Sequence, residues 1–208
     1  MKIVLATRNQ GKIEEIRSLL EGEEGRGGIE ISSLKDYPAV PEIAEDGSTF
    51  SENARKKALT VAQLTGQIAV ADDSGIEVDA LGGAPGVYSA RFAGEGASDS
   101  ANIKKLLDLL RDIPPEKRGA RFVCVMALAT PDGEVSLVDG ECRGVIAMEE
   151  RGTAGFGYDP VFIVPGYGET FAELGSEVKN RISHRARALS KLCRLLGSLN
   201  PRRSIPPL

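Results

Sequence analysis

The stretch Ile68–Leu81 constrains the fold most, because an apolar run leads directly into two adjacent carboxylates. The short run 68–71 is typical of a strand that is buried on both faces. Asp72 and Asp73 then stand where this strand is predicted to end, before Gly75, although the same residue types are common in ordinary turns. Adjacent side chains of an extended chain point to opposite faces. One carboxylate is therefore expected to face a reactive cleft, and the other to brace the loop.

Length and composition favour a globular protein of the cytoplasm. The 208 residues predict one domain over 1–200, with one core or two closely joined lobes, and a short tail at 201–208. No apolar run approaches the ~20 residues that span a bilayer, and the apolar part of the N-terminus is too short for a signal peptide. Three cysteines without Cys-x-x-Cys spacing argue against a disulfide framework and a zinc site. We therefore expect a cytoplasmic protein without membrane contact.

Charge is distributed unevenly along the chain. Residues 179–203 hold eight basic side chains and no acid, whereas the remainder holds 18 basic against 30 acidic residues. Such a segment favours either a nucleic-acid surface or a local well for one anionic ligand. The whole chain has a net charge of −4 and no aromatic-rich basic face, so the second interpretation is favoured. We expect no nucleic-acid partner.

A polar loop between a strand and a helix is the first candidate binding element. A strand over 2–6 is predicted to run into Thr7-Arg8-Asn9-Gln10-Gly11-Lys12, at the start of a helix. This arrangement offers backbone N–H groups to phosphate, and Lys12 in the first turn is unfavourable unless an anion is also present. The loop matches neither the common nucleotide P-loop nor the dinucleotide fingerprint. An ordinary helix, capped by Thr7 or Asn9, is the alternative.

A helix is predicted over 50–65, because residues 49–52 match a capping box and Gly66 provides a stop. Alanines at every fourth position of its apolar stripe would let it lie close to a sheet. Asn53 and Lys57 lie beside that stripe, one turn apart. They are either surface residues or point into the cleft that Asp73 borders.

Two further polar segments are candidates for a ligand site. In Gly155-Phe156-Gly157-Tyr158-Asp159-Pro160, the phenylalanine either offers its face to a planar ligand or folds inward in a tight turn. In the second segment Ser183 is a good helix N-cap, and His184 and Arg185 place two donors at the positive end of that helix. Such an arrangement is expected where an acceptor-rich ligand compensates, although a lone histidine is more often structural.

The remaining chain predicts further strands and helices around these segments. These are a flexible loop at 21–28, a strand over 29–34, a glycine-rich connection from 82 to about 98, a helix capped by Asp99, and strands over 121–130, 134–147 (with a break near Gly140) and 161–164.

Six segments, in this order along the chain, make the sequence resemble the inosine/xanthosine triphosphate pyrophosphatase family, the Ham1-like nucleotide hydrolases. They are Leu-Ala-Thr-Arg-Asn-Gln-Gly-Lys (5–12), Thr-Phe-Ser-Glu-Asn-Ala (49–54), Ala-Asp-Asp-Ser-Gly (71–75), Gly-Gly-Ala-Pro-Gly-Val-Tyr-Ser-Ala-Arg (82–91), Gly-Phe-Gly-Tyr-Asp-Pro (155–160) and Ile-Ser-His-Arg (182–185). Together they are highly specific and cover nearly the whole chain. The loop at 21–28 looks longer than the family's usual turn.

The resemblance implies an α/β fold: an elongated central mixed β-sheet with flanking helices, two lobes around a nucleotide cleft, and usually a homodimer. It implies Mg²⁺-dependent hydrolysis of noncanonical purine triphosphates (ITP, dITP and XTP) to the monophosphate and pyrophosphate. Asp73 would be the catalytic base and a metal ligand. Glu45 would be the second metal ligand, although Glu42 and Asp46 are its neighbours.

The resemblance also implies roles for the candidate binding residues. The triphosphate would be held by Thr7, Arg8, Asn9, Gln10, Gly11 and Lys12, with Lys57 as a helper. Ser74 would touch the substrate, and Phe156 would stack on the base. The base pocket would be shaped by Gly157, Tyr158 and Asp159, with base contacts from Lys179, His184 and Arg185.

Hypoxanthine and xanthine present a carbonyl at position 6 where adenine presents an amino group. Donors from His184 and Arg185 would therefore favour the noncanonical bases over adenine. Guanine shares that carbonyl, and the sequence does not indicate how it would be excluded. Two alternatives to the pyrophosphatase remain: a phosphatase that releases orthophosphate, and a noncatalytic RNA-binding protein that uses residues 179–203.

Overall fold

The computed structural model describes residues 2–21 and 30–198, which form one six-stranded sheet with five flanking α-helices. The strands and helices, in chain order, are β1 (Lys2–Leu5), α1 (Gln10–Glu21), β2 (Glu30–Ser33), α2 (Phe50–Thr65), β3 (Ile68–Val78), α3 (Asp99–Leu109), β4 (Gly119–Ala129), β5 (Val135–Ile146), β6 (Phe162–Ile163), α4 (Phe171–Ile182) and α5 (His184–Ser198). None of the helices within these ranges is long and apolar enough to cross a membrane.

The sheet is mixed, with the strand order β2-β1-β3-β4-β5-β6. β1 runs parallel to β2 and β3, whereas the pairs from β3 to β6 are antiparallel. Parallel neighbours need a crossover connection, which α1 and α2 supply. The three central strands are 11 or 12 residues long, so the sheet is elongated. The predicted α/β architecture is confirmed.

The apolar core divides at the polar stretch of β3. Ala69 and Ala71 pack with α2, and Val70 packs with α1 and α5. Ile76 and Val78 belong to a separate apolar cluster with α3 and the start of α4. The polar residues 72–75 therefore lie at the seam between two regions of core.

Two predicted interruptions of strands are wrong. β3 does not end at Asp72, because residues 69–78 pair without a break with β4. β5 likewise continues through Gly140. Gly140 serves a different purpose, since a Cβ there would lie 2.2 Å from the backbone oxygen of His184. The missing side chain lets the start of α5 lie directly on the sheet.

The helix boundaries follow local capping chemistry. α2 begins and ends where predicted, with the Thr49–Glu52 capping box and Gly66 in the left-handed conformation. Asp99 is not the cap of α3, because Ser98 Oγ accepts the hydrogen bond from the N–H of Ala101 at 3.2 Å.

Several predicted segments differ from the structure in extent. The helix α4 was not predicted, although Thr170 and Glu173 form a capping box at its start. The long connection after β3 contains 3₁₀ turns at Asp79–Leu81 and Gly86–Arg91. The predicted loop at 21–28, beyond its first residue, and the tail at 201–208 lie outside the described residues.

Candidate active site

A cleft opens beside the polar seam of β3, and twelve of the residues predicted for the site line it. They are Asn9, Lys12, Glu45, Asp73, Ser74, Phe156, Gly157, Tyr158, Asp159, Lys179, His184 and Arg185. The cleft has a volume of about 110 Å³, below the ~300–1,000 Å³ of typical ligand pockets. Its walls as they stand enclose only part of a molecule of nucleotide size.

Asp72 lies on the face of β3 that is turned toward α1 and α5. Its Oδ2 is 3.1 Å from Lys12 Nζ and 3.1 Å from Arg185 Nη2, and it accepts a hydrogen bond from Ser74 Oγ at 3.3 Å. Burial raises the pKa of Asp72, but the charges of Lys12, Arg185 and Lys57 outweigh it and hold the pKa far below its ordinary value. This permanently charged carboxylate has the bracing arrangement predicted for one member of the pair.

Asp73 lies on the opposite face of β3, where two side chains of α2 hold it. Asn53 Nδ2 donates to Asp73 Oδ2 at 3.0 Å, and Lys57 Nζ lies 3.8 Å from Oδ1. Burial raises the pKa of Asp73 above its ordinary value, against the opposing charges of Lys57 and Lys12. Of the two interpretations of Asn53 and Lys57, the surface one is wrong: both are buried and turned toward this carboxylate.

Glu45 lies in the irregular segment before α2, and its side chain meets the same Lys57 that lies beside Asp73. The ammonium group of Lys57 contacts the Glu45 carboxylate and also donates to the backbone oxygen of Asp72 at 2.6 Å. Burial lowers the pKa of Lys57, but the nearby carboxylates of Asp72, Asp73 and Glu45 outweigh it and raise that pKa. A permanent cation therefore lies between the side chains of Glu45 and Asp73.

Arg91 fixes the backbone of the segment that carries Glu45. Arg91 Nη2 donates to the Glu45 backbone oxygen at 2.9 Å. The neighbouring acids are turned elsewhere: Glu42 is exposed, and Asp46 pairs with Lys56 at 2.7 Å. Of these three acids, only Glu45 lines the cleft.

The loop after β1 contributes two side chains to the cleft, from Asn9 and Lys12. Asn9 Oδ1 accepts from the Lys12 N–H at 3.1 Å, and Thr7 Oγ1 accepts from the Asn9 N–H at 3.1 Å. The side chains of Arg8 and Gln10 bond to protein groups outside the cleft. The capped helix that was the alternative interpretation is thus present, and its first turn opens on the cleft.

Phe156 lies in the cleft wall and takes no part in the apolar core. The half-buried ring covers Gly11 so closely that a Cβ there would lie 2.6 Å from Phe156 Cδ1. Lys179 Nζ is 4.7 Å and Arg185 Cζ is 5.6 Å from the ring centroid. The aromatic face is therefore flanked by two cations, which attract the electrons of the ring.

Protein carboxylates already compensate the cations around α4 and α5. Lys179 pairs with Glu15 and Asp159, and Arg185 pairs with Glu15 and Asp72. These carboxylates balance the donors at the start of α5 within the protein itself, and contact with an acceptor-rich ligand there stays a prediction. Burial raises the pKa of Glu15, but the charges of Arg185 and Lys179 outweigh it and lower that pKa. Sequence reasoning missed Glu15, whose only signal is its place one turn after a lysine of the cleft.

His184 is buried and stacks on Phe122, with ring centroids 4.6 Å apart and an interplanar angle of 9°. Burial, together with the charges of Arg185 and Lys179, lowers the pKa of His184 well below its ordinary value. A neutral imidazole has one donor and one acceptor nitrogen, so His184 can donate from one side only. Within the described chain, His184 Nδ1 and Arg185 Nε are buried without a hydrogen-bond partner. Such groups are rare in proteins and indicate room for a polar partner.

Six lining residues were not predicted for the site: Gly75, Val87, Ser89, Ala90, Asp99 and Phe122. Ser89 is the most informative of them, since its Oγ accepts from the Ile76 N–H at 2.9 Å and its backbone oxygen accepts from Tyr158 Oη at 2.9 Å. Val87, Ser89 and Ala90 belong to the motif at 82–91, which was a signal that they lie near the site.

Comparison with known families matches residues 3–195 to the model of the Ham1 family. The chain belongs to the Ham1 family. A relative of this Ham1 chain, the dITP/XTP pyrophosphatase of Desulforamulus reducens, is 54% identical over 199 residues, which cover 96% of this chain and 97% of that protein. The dITP/XTP pyrophosphatase of Geobacter sulfurreducens is 53% identical over 196 residues, which cover 94% of this chain and 96% of that protein.

Solved structures of Ham1 proteins share the fold. A HAM1 protein from Coxiella burnetii superposes with a TM-score of 0.84 at 43% identity, covering 95% of this chain and 99% of that one. The Ham1 protein of Staphylococcus aureus gives a TM-score of 0.83 at 40% identity, covering 96% of this chain and all of that one.

Proposed function

We propose that this Ham1 protein hydrolyses noncanonical purine nucleoside triphosphates (ITP, dITP and XTP) to the monophosphate and pyrophosphate. The observation that carries the proposal is the cleft itself, where a buried carboxylate with a raised pKa, Asp73, lies between a basic helix start and an aromatic wall. Relatives that are more than half identical over nearly the whole chain bear the name dITP/XTP pyrophosphatase.

In this proposal Asp73 is the general base that takes the proton of the attacking water. Its raised pKa gives the carboxylate a higher proton affinity than that of an exposed aspartate, which favours proton abstraction near neutral pH. Its position in the middle of a paired strand, with Asn53 holding one oxygen, fixes its direction. Precise positioning of this kind is a large part of catalysis in phosphate-transfer enzymes.

Mg²⁺ is the cofactor that the carboxylates of the cleft suit. Asp73 and Glu45 offer hard oxygen ligands, and they already converge on one cation, the ammonium group of Lys57. No group of three His, Cys, Asp or Glu side chains among the described residues is arranged to hold a metal. Two carboxylates are enough for Mg²⁺, because this ion keeps several waters and takes phosphate oxygens. When bound, Mg²⁺ supplies charge neutralisation on the phosphates and orientation of the attacking water.

The phosphates would lie along the start of α1, near Lys12, where Arg8, Gln10 and Gly11 would offer backbone N–H groups and Thr7 its hydroxyl, since the Thr7 N–H already donates to the Leu5 backbone oxygen. The N-terminus of a helix attracts anions because its first N–H groups are unpaired. Lys12 is held 3.1 Å from Asp72, so its ammonium group is in place before a substrate arrives. Lys57 would assist by moving from Glu45 toward a phosphate oxygen.

The base would stack on Phe156, at the end of the cleft that Lys179, His184 and Arg185 border. The unpaired Arg185 Nε supports donation to the carbonyl at position 6 of hypoxanthine or xanthine. Adenine would place an amino group against this donor and leave both unpaired in a buried site, which is costly. Neutral His184 would either donate or accept a hydrogen bond at the base, depending on its tautomer. The groups of the bound base next to the imidazole would set that tautomer.

A substrate panel tests the proposal. Purified protein is incubated with Mg²⁺ and ITP, dITP, XTP, GTP, ATP or dTTP, and both pyrophosphate and orthophosphate are measured. We expect pyrophosphate from the first three substrates. Equal turnover of ATP and ITP would refute the base-selection argument, and release of orthophosphate would favour the phosphatase alternative.

The role of Asp73 has its own test. Asp73→Asn should lower kcat by about 10²–10⁴-fold, the usual contribution of a general base. Asp108→Asn on the exposed surface of α3 is the matched control and should leave the rate unchanged. Undiminished activity of Asp73→Asn would exclude it as the base.

We infer that the protein is a homodimer in the cytoplasm. The family resemblance supports the homodimer, and three cysteines without Cys-x-x-Cys spacing support the reducing compartment. Light scattering on the eluted protein should give twice the chain mass of 22.1 kDa. A measured mass of 22.1 kDa at micromolar protein concentration would contradict the homodimer.

A further inference from the structure

A second basic surface lies outside the cleft, in an open groove between α1 and the end of α4 and α5, which we call the outer groove. Its volume is about 630 Å³, which is within the ~300–1,000 Å³ range of small-molecule sites. The outer groove is lined by Ser18, Leu19, Asn180, Arg181, Ala186, Arg187, Leu189, Ser190, Lys191 and Arg194. Four of these ten residues are cations and none is an acid.

The basic residues of the segment 179–203 are divided between the cleft and the outer groove at the junction of α4 and α5. Lys179 and Arg185 turn into the cleft, where carboxylates neutralise them. Arg181 and Arg187, each two residues further along the chain, line the outer groove. The positive charge of the outer groove therefore has no part in the proposed hydrolysis.

Among the described residues, few groups neutralise the cations of the outer groove. Lys191 Nζ lies 3.3 Å from the exposed Asp139, and Arg187 Nη1 donates to the backbone oxygen of Glu141. The side chains of Arg181 and Arg194 have neither an ion pair nor a hydrogen bond within residues 2–21 and 30–198. Three of the cations follow one face of α5 at positions 187, 191 and 194, and like charges at this spacing weaken a helix. A bound anion would remove that repulsion.

We propose that the outer groove binds an oligophosphate, either free or as the phosphate chain of a nucleotide. The planar forks of three arginines match phosphate oxygens in pairs, and two serine hydroxyls add donors. Three apolar residues also line the groove and offer contact to a nucleoside. No aromatic side chain lines the described groove, so the stacking surface that favours single-stranded nucleic acid is missing.

Calorimetric titration of the full-length protein tests this site without turnover. Inorganic tripolyphosphate and ATP are titrated separately in the presence of a chelator, at low and moderate salt. The test variant is Arg181→Ser/Arg194→Ser. The control is Arg55→Ser/Lys104→Ser, which removes the same charge from exposed positions on α2 and α3.

The wild type and the control should bind tripolyphosphate at two sites, the cleft and the outer groove. The test variant should lose the groove site, with affinity weakened about tenfold for each arginine removed, while dITP turnover stays within twofold. Stronger binding of ATP than of tripolyphosphate at the lost site would identify a nucleotide as the ligand. An unchanged titration of the test variant, an equal loss in the control, or preferential binding of a 20-nucleotide RNA at this surface would each overturn the proposal. Because turnover is measured separately, failure here leaves the proposed hydrolysis standing.

Discussion

The adjacent carboxylates of β3 are expected to respond in opposite ways to the same isosteric change. Asp72→Asn removes the charge that Lys12 and Arg185 share, and each of those cations lies 3.1 Å from Asp72 Oδ2 in a buried setting. At an effective dielectric constant of 20, each attraction is about 5 kcal/mol before desolvation is counted. Measured losses on removing one partner of a buried pair are about 3–5 kcal/mol. We expect the free energy of unfolding to fall by that amount.

Asp73→Asn is the matched variant, one residue away in the same strand. Burial already favours the neutral form of Asp73, so an uncharged amide should change the free energy of unfolding by no more than about 1 kcal/mol. Urea denaturation followed by circular dichroism measures both variants, with equal slopes required for the comparison. Equal losses of stability in the two variants would refute the assignment of a brace and a reactive carboxylate.

The contributions of Asp72 and Asp73 to the free energy of unfolding should also depend on pH in opposite ways. The folded-state pKa of Asp72 is lowered, so its stabilising contribution is present above the unfolded value of about 3.9 and is lost as pH falls through the folded pKa. The folded-state pKa of Asp73 is raised, so its contribution is present below the unfolded value and is lost as pH rises through the folded pKa. The deficit of Asp72→Asn should therefore shrink in acid, and a deficit that grows there would contradict this account.

Three further predictions concern activity and packing. The acid limb of kcat/KM for dITP should have a midpoint above about 3.9, because Asp73 must be deprotonated; a pH–rate profile with a lower midpoint would count against it as the base. Glu15→Gln should raise KM for dITP about tenfold with kcat nearly unchanged, since two cleft cations lose their shared partner; steady-state kinetics would refute this if kcat alone fell. Gly140→Ala should lower the free energy of unfolding by about 1–3 kcal/mol, whereas Gly197→Ala, with open space around it, should raise it slightly; equal melting temperatures would disprove the packing argument.

Local chemistry made parts of the fold predictable from the sequence. The limits of α2 follow from a capping box and a C-terminal glycine, both of which act within one helical turn. The opposite directions of Asp72 and Asp73 follow from the two-residue period of a strand. Both predictions depend on neighbours in the chain, so no knowledge of the tertiary structure was needed.

The errors arise where distant residues decide the outcome. The sequence predicts that β3 ends at its two carboxylates, because buried carboxylates without partners are unfavourable. The partners are cations from α1, α2 and α5, which are distant in the chain. Gly140 looked like a break because the approach of α5 to that point cannot be read from the sequence. Glu15 was missed for the same reason, since its partner Arg185 lies 170 residues away in the chain.

The pairing of β3 with β4 has a consequence for the chemistry as well as for the fold. Ten consecutive pairs, from Ala69 with Ala129 to Val78 with Ala120, set which side of the sheet each β3 side chain occupies. A slip of one residue would turn every side chain of the strand to the other face. Asp72 would then meet α2, and Asp73 would meet Lys12 and Arg185. The identity of the reactive carboxylate is thus a property of strand register, and any substitution that loosens this pairing threatens both carboxylates at once.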